Sequence, residues 1–394
     1  MKSIALSRPR EEGHEPDKPA VQSRDRSVLM LYLEPAPYIV AFVDAVREAW
    51  GDTADVAFVE MNRSQPWDYR IRSAAEIELP RGAAAAIREI GQRIASGRYG
   101  LLHLAGWGHP VLAAALVIAH LHGIPVTVES DTSRRAEKTT WKSAAKRIVY
   151  PWLFSIPKVF LPGGTRQAAY LKNYGVGETR IRVAQMTVDV ERIRAHADGR
   201  KTELRAAFRN RFQIPAHALV VLYLGRLEPD KGIEDLLRAH AHVAAGRSDL
   251  CLLIVGDGSL RADVESAAAA SAAIRYVGRL SGDDVWDAYY AADVFVLPSR
   301  DEPWGLVVNE AMAAGLPVVV SDRVGCADDI VVDGGTGLIV PAEAPEPLAD
   351  AIGRLADCVE LRETMGRRGR DLISGWTLEN QADRTVAAWR HALA

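Results

Sequence analysis

Cysteine is scarce in this chain. Cys251, Cys326 and Cys358 are the three in 394 residues, no two form a C-x-x-C pair, and any disulfide scheme leaves one over. That fits a reducing cytoplasm better than a disulfide framework. Long apolar runs are missing too. The most apolar stretch, Val111 to Ala119, stops before His120 and His122, far short of the roughly 20 residues a membrane span needs. The first 26 residues, MKSIALSRPREEGHEPDKPAVQSRDR, contain no apolar core of the kind a signal peptide carries and read as a flexible tail. The formal net charge is only −3, so no global field points to nucleic acid, and charged partners must be sought in local patches. The ten histidines show no metal-ligand spacing and no D-x-D triplet occurs. No metal site is therefore expected.

What is present is ordinary globular material, 48% hydrophobic and 25% charged, in a chain too long for one core. From Ser27 onward short β-branched runs alternate with longer helical-period segments, the pattern of parallel sheets with crossover helices. VLMLYL, VAFVE, LLHLAG, IPVTVES, KVFLPGG and IRVA form a first series of strands; VVLYLG, CLLIVG, IRYVG, VFVLPS, LPVVVS and GLIVP form a second. The expected fold is α/β with two doubly wound Rossmann-like domains, at 27–196 and 216–372, joined by a charged helix-plus-linker at 197–215. The last segment, 373–394, carries Leu378, Ala382, Val386 and Trp389 at near-helical spacing and is expected to pack outside its own domain.

In open α/β sheets ligands collect beyond the carboxyl ends of the strands. In the second domain those ends lead into Gly225 and Arg226 to Gly232, into Gly256-Asp257-Gly258, into Gly278-Arg279-Leu280, and into Arg300-Asp301-Glu302. The stretch DEPWGLVVNEAMAAG, Asp301 to Gly315, follows a strand and reads as a short helix starting near Trp304 to Leu306 and stopped by Gly315 and Pro317. Its free N–H groups, together with Arg226 and Lys231, make a place for an anion such as a diphosphate, with Gly305 allowing close approach. Individually, Arg226 and Lys231 are more often solvated or salt-bridged residues, and Glu310 could simply pair with a nearby arginine; their convergence at matching strand ends favours a site. Glu302 and Glu310 stand about 12 Å apart if both lie on the helix, too far for a hydrolase carboxylate pair.

These residues resemble the family 4 retaining glycosyltransferases of the GT-B fold. GRLEPDKG, IVGDGSL, the E-x7-E spacing of Glu302 and Glu310 followed by A-M-A-x-G, and GTGLIVP carry the resemblance, strongly over Val220 to Pro341 and in outline elsewhere. It implies two domains facing across a cleft, a terminal helix crossing back to the first domain, and metal-independent transfer of a hexose from a UDP- or GDP-sugar with retention, needing no cofactor beyond the donor substrate. On that resemblance Arg226 and Lys231 bind the diphosphate and Glu302 the donor sugar, helped by the backbone at Trp304, Gly305 and Leu306. Glu310 takes the ribose, and Gly278, Arg279 and Leu280 border the base.

The first domain departs from the family. Ser27 to Trp50 has no glycine-rich loop and instead carries Glu34-Pro35-Ala36-Pro37-Tyr38, similar to a P-x-P-Y variant of polysaccharide-assembly members. Where relatives often have a histidine near the sugar, this chain has Glu129-Ser130-Asp131-Thr132-Ser133, so Asp131 either takes that catalytic place or caps a turn. Pro37, Tyr38 and His109 are the remaining acceptor-side candidates; His103 reads as a solvated or core histidine. Between Arg134 and Arg147 six basic residues face one acid, Glu137, with Trp141, Ile148 and Trp152 close by. Such a helix lies on an anionic bilayer or is simply a solvated face. The expected acceptor is a saccharide or a polyprenyl-diphosphate-linked saccharide. Nucleic acid is excluded, and the expected location is the cytoplasm, peripheral on the inner face of the membrane. An NAD-dependent oxidoreductase is disfavoured because Gly256 to Arg261 lacks the third glycine of G-x-G-x-x-G. A catalytically silent binding or scaffold subunit is the alternative from another class.

Overall fold

The computed structural model describes residues 27–51, 53–60, 76–133 and 141–394; the tail at 1–26 and residues 134–140 of the basic run lie outside the described residues. Twelve strands are placed among these, in two parallel six-stranded sheets. The first holds β1 (Ser27–Tyr32), β2 (Ala54–Phe58), β3 (Glu76–Ile77), β4 (Tyr99–Leu104), β5 (Val126–Ser130) and β6 (Val159–Pro162) in the order β3-β2-β1-β4-β5-β6. The second holds β7 (Leu219–Leu224), β8 (Leu250–Val255), β9 (Ile274–Tyr276), β10 (Val294–Leu297), β11 (Val318–Ser321) and β12 (Gly337–Val340) in the order β12-β11-β10-β7-β8-β9. Both sheets wind the same way, outward from a central pair, β1/β4 or β7/β10. At each pair the strand order reverses, leaving a crevice at the carboxyl ends.

Helices cover both faces of such sheets, so the inner strands are buried throughout and read as unbroken apolar runs. β8, LCLLIV, is buried at all six positions. IRVA was expected as a strand and is not one. Arg182 and Ala184 donate N–H bonds to the Phe160 and Pro162 carbonyls, but only Ile181 forms a bridge, and Gln185 at φ 64° ends the extended run.

Within 197–215, the helix Lys201–Arg211 buries Leu204 and Phe208 in the second core, while Arg205 and Arg209 both reach Asp293, at 2.7 and 2.9 Å. The terminal helix Leu378–Leu393 starts at Thr377, whose hydroxyl accepts from Asn380 N–H at 3.1 Å. It crosses back to the first domain. Trp389 is fully buried among Val28, Tyr32, Phe42 and Val43 and meets Trp50 edge-on at 5.5 Å. A buried aromatic of this size contributes several kcal/mol, which anchors the chain end on the opposite domain.

Side-chain contacts also join the domains directly. Thr165, at the start of the helix Thr165–Asn173, gives Asp329 its backbone N–H and its hydroxyl, the latter at 2.7 Å. Arg166 forms a two-pronged pair with Asp328 at 2.6 and 2.7 Å, and Gln167 donates to the Pro303 carbonyl. No helix among the described residues is long and apolar enough to cross a membrane.

Candidate active site

The crevice at the end of β7 and β10 encloses about 310 Å³ and is lined by Gly225, Arg226, Lys231, Glu302, Gly305 and Leu306, among others. Lys231 is nearly buried. Its ammonium lies 2.9 Å from Glu302, 3.3 Å from Asp230 and 3.3 Å from the Asp301 carbonyl. Arg226 stands at the mouth, 68% exposed and 3.9 Å from Asp230, with its carbonyl held by the Tyr223 hydroxyl at 2.7 Å. Burial, and then the Glu302 charge, push the Tyr223 phenol well above its ordinary range, so it stays a neutral donor.

The helix expected from DEPWGLVVNEAMAAG runs Leu306–Ala313, with Gly305 as its N-cap at φ 98°. Gly305 was expected to serve close ligand approach. Its first requirement is conformational, since side chains rarely adopt this φ, and an added Cβ would also meet Val324 at 3.1 Å and Leu297 at 3.2 Å. No capping side chain occupies the helix start. Val308 N–H turns back to the Gly305 carbonyl at 2.8 Å, while by helix geometry the N–H groups of Leu306 and Val307, which line the crevice beside the two cations, lack intrahelical acceptors. Glu302 lies off the helix, bridged to Val324, so a helical spacing to Glu310 does not apply.

Other expected members sit differently. The Trp304 ring is 2% exposed, stacks on Trp376 at 5.7 Å and donates to Asn309 at 3.1 Å, so the side chain is packing at the domain junction. Glu310 does not line the crevice; it accepts from the Tyr289 hydroxyl at 2.6 Å. Burial pushes its carboxyl up to about 7, and the Tyr289 bond pulls the other way. Gly256 takes φ 147° and approaches Gly225 so closely that any Cβ would strike its carbonyl. The Gly278 carbonyl accepts from Gly256 N–H at 2.9 Å; Arg279 and Leu280 continue that turn without lining the crevice.

A second crevice, of about 240 Å³, opens at the end of β1 and β4–β6. Tyr32, Glu34, Tyr38, Glu129, Asp131 and Gln381 contribute to its wall. Burial and the Glu129 charge hold the Asp131 carboxyl above its usual range. His109 does not line this crevice. It caps the helix Pro110–Leu121, accepting from Val111 N–H at 3.3 Å, and its other nitrogen meets Glu60 at 3.2 Å. Pro37 opens the helix Pro37–Trp50 and leaves Tyr38 and Ile39 to face the space.

Two wall residues were not singled out from the sequence. Glu129 accepts from the Tyr32 hydroxyl at 3.3 Å and contacts His103 Nε2 at 3.2 Å. His103 is fully buried, and its Nδ1 receives the Trp389 indole N–H at 3.1 Å. An indole N–H can only donate, so Nδ1 is an acceptor and the ring proton sits on Nε2, facing Glu129. Gln381, on the terminal helix, accepts from Thr187 N–H at 3.3 Å. An E-S-D run closing a strand could have drawn attention to Glu129; nothing local marks Gln381.

Residues 205–372, which carry the first crevice, match the family of glycosyl transferases group 1. The chain is 28% identical over 311 residues to a D-inositol 3-phosphate glycosyltransferase of Saccharomonospora viridis, covering 76% of this chain and 68% of that protein. Alignments to two further curated relatives of the same name span 53% and 66% of their own length. Among solved structures, Anabaena HepE, in complex with UDP and glucose, superposes with a TM-score of 0.74 at 16% identity over 93% of this chain and 99% of HepE. WaaG, a glycosyltransferase involved in lipopolysaccharide biosynthesis, gives 0.68 at 17% identity over 92% and 98%. Those likenesses match the two wound domains, so the chain has the GT-B fold, and its second domain, which carries Arg226, Lys231 and Glu302, matches the group 1 glycosyl transferases.

Proposed function

We propose that the protein transfers a hexose from a UDP- or GDP-sugar to a hydroxyl of a saccharide or lipid-linked saccharide, with retention and without a metal, in the assembly of a surface polysaccharide or glycolipid. One observation carries this reading: Arg226, Lys231, Glu302 and an uncapped helix start share one crevice at the strand-order reversal of the second sheet. The bond from the anomeric carbon to the diphosphate breaks and one to the acceptor oxygen forms, while the acceptor's proton passes to a departing phosphate oxygen. Negative charge grows on that leaving group, and one positioned donor is worth about 3 to 4 kcal/mol there. Arg226, Lys231 and the helix N–H groups are the donors; Glu302 holds sugar hydroxyls, and Glu310, half-buried farther along the same helix and outside the crevice wall, takes the ribose of a nucleotide that extends past that wall. Asp131 faces the acceptor from the other domain. UDP is the favoured nucleotide because HepE binds it on the same fold.

Calorimetry with UDP, GDP and ADP tests the reading. One diphosphate is expected to bind, and Lys231→Ala and Glu302→Ala are expected to abolish transfer. Binding of none would instead favour a silent scaffold subunit.

The helix Trp141–Leu153 supports peripheral contact with an anionic bilayer. Ile148, Val149 and Trp152 are 80%, 50% and 58% exposed beside Lys146 and Arg147, the pairing of apolar anchors with basic charge that such surfaces bind. Co-sedimentation with phosphatidylglycerol vesicles is expected for the wild type and lost in Ile148→Ser/Trp152→Ser; equal pelleting of both would sink the idea.

A further inference from the structure

We infer that the terminal crossing helix supplies a substrate-contacting residue: Gln381 donates from its amide nitrogen to an acceptor hydroxyl while Glu129 accepts from a neighbouring one. The acceptor is then a polyhydroxylated ring, saccharide or cyclitol, read by a donor and an acceptor drawn from distant parts of the chain. The inference rests on the transfer reaction proposed above and names the chemistry of its acceptor side.

Three observations fix the pair. Gln381 is 7% exposed and yet forms part of the crevice wall. Its Oε1 accepts the Thr187 backbone N–H at 3.3 Å; a backbone N–H can only donate, so the amide cannot be turned round, and Nε2 is the free end. Among the described residues Nε2 has no acceptor, and it is not one of the fully buried unpartnered atoms, so it opens to solvent at the crevice wall and is free to donate to a ligand there.

Glu129 presents the complementary group. Both its protein donors, the Tyr32 hydroxyl and His103 Nε2, fall on Oε1. That oxygen is therefore engaged, and Oε2 takes neither bond. The side chain keeps 20% exposure where it borders the crevice. An ionised carboxylate only accepts, so its partner must carry O–H or N–H. His103 is a positioning residue here. The Trp389 indole N–H at 3.1 Å and the Thr127 hydroxyl at 2.8 Å both meet Nδ1, which leaves the ring proton on Nε2 against Glu129 Oε1, and Trp389 belongs to the same helix as Gln381. The helix that closes the fold thus both orients the carboxylate and supplies the amide.

Charge agrees with a neutral ligand. Among the described residues this wall carries Glu34, Glu129 and Asp131 and no lysine or arginine, whereas the other crevice holds both Arg226 and Lys231. The diphosphate belongs with the cations and an uncharged polyol with the carboxylates.

The test uses the full chain saturated with UDP and two probes, methyl α-D-glucopyranoside and myo-inositol, followed by saturation-transfer NMR. Gln381→Glu keeps an oxygen for the Thr187 N–H but replaces the amide donor with a carboxylate that can only accept, and Gln381→Met, which removes the donor without adding charge, is its control; Glu129→Gln keeps the shape and removes the charge. Each is expected to weaken binding of at least one probe roughly tenfold, the loss of about one hydrogen bond, with UDP affinity by calorimetry unchanged. Absence of binding of both probes to the wild type, or wild-type affinity in Gln381→Glu, overturns the inference. If UDP itself fails to bind, the transfer reading falls first and separately. For the positioning role, Trp389→Phe/Thr127→Val, which removes both groups facing Nδ1, is expected to shift the His103 ¹⁵N resonances away from the pure Nε2-protonated pattern; an unchanged pattern would remove Trp389 and His103 from the account.

Discussion

Glu310 offers the sharpest test of the donor site, because the same carboxyl should lower stability in the empty protein and raise affinity in the loaded one. Its pKa is pushed from 4.5 up to about 7 by burial, against the pull of the Tyr289 hydroxyl. The folded chain therefore binds a proton that the unfolded chain releases between about pH 4.5 and 7. Stability falls as pH rises through that window, by at most about 3 kcal/mol once the carboxyl is ionised. Glu310→Gln removes the titrating group and leaves Tyr289 an oxygen to donate to. It should raise the urea midpoint at about pH 8 and leave it unchanged near pH 4.5.

Binding should respond in the opposite sense. If the ionised carboxylate takes the ribose hydroxyls, UDP-glucose affinity in the wild type rises about tenfold between pH 6 and 8 as the population of carboxylate grows. Glu310→Gln should flatten that dependence and bind about tenfold more weakly at the upper end. Tyr289→Phe deletes the bond that lowers the pKa, so its midpoint should move to higher pH. Calorimetric titration with UDP-glucose, which carries no group ionising in this range, measures all three. A wild-type affinity independent of pH, with Glu310→Gln no more stable at pH 8, would refute both the burial argument and the ribose assignment.

Three further perturbations follow from the geometry. Lys231→Ala leaves the mostly buried Glu302 carboxylate without its 2.9 Å partner and should cost about 3–5 kcal/mol; the Lys231→Ala/Glu302→Ala double variant should cost less than the sum of the singles in urea denaturation, and strict additivity would mean the pair is uncoupled. Gly305→Ala forces a side chain into φ 98°, expected to cost about 1–2 kcal/mol and to weaken UDP binding by tilting the helix start, and unchanged calorimetry would contradict that. Asp329→Ala removes the three bonds to Thr165, and should speed proteolysis or hydrogen exchange at the start of the helix Thr165–Asn173 while leaving the exchange of β8 unaltered.

The strands were legible because parallel strands covered on both faces need unbroken β-branched runs, and eleven of the twelve runs read as strands became strands. IRVA failed because apolar content carries no information about whether a neighbour returns the hydrogen bonds. The cationic crevice was legible for a topological reason: its groups follow directly after their strands, as Arg226 follows Gly225 and Glu302 follows Arg300-Asp301. Trp304 was placed correctly along the chain, but its ring turns to Trp376, a contact with a segment remote in sequence. The carboxylate crevice was legible only at Tyr38 and Asp131. Glu129 sits in the strand Val126–Ser130, where alternation gives a side but no partner, and Gln381 gains its position only when the terminal helix crosses to the other domain.

That crossing explains why the two crevices can work as one site although each belongs to a separate sheet. Gly163 walls the carboxylate crevice, and four residues later Gln167 donates to the carbonyl of Pro303, which walls the cationic one. Arg166 grips Asp328 and the carbonyls of Asp322 and Val324, and Val324 is the bridge partner of Glu302. Glu302 is therefore positioned from two sides, by Lys231 within its own domain and by the turn around Val324, which Arg166 joins to the first domain. On the far side Thr187 holds Gln381 and also meets Asn309 of the helix that begins at Leu306. Thr187 thus ties the helix that begins at Leu306 to the Gln381 amide, so that the two would move together. The transfer proposed above needs that coupling, because the reacting atoms of two separately bound substrates must be held within about 3–3.5 Å of each other.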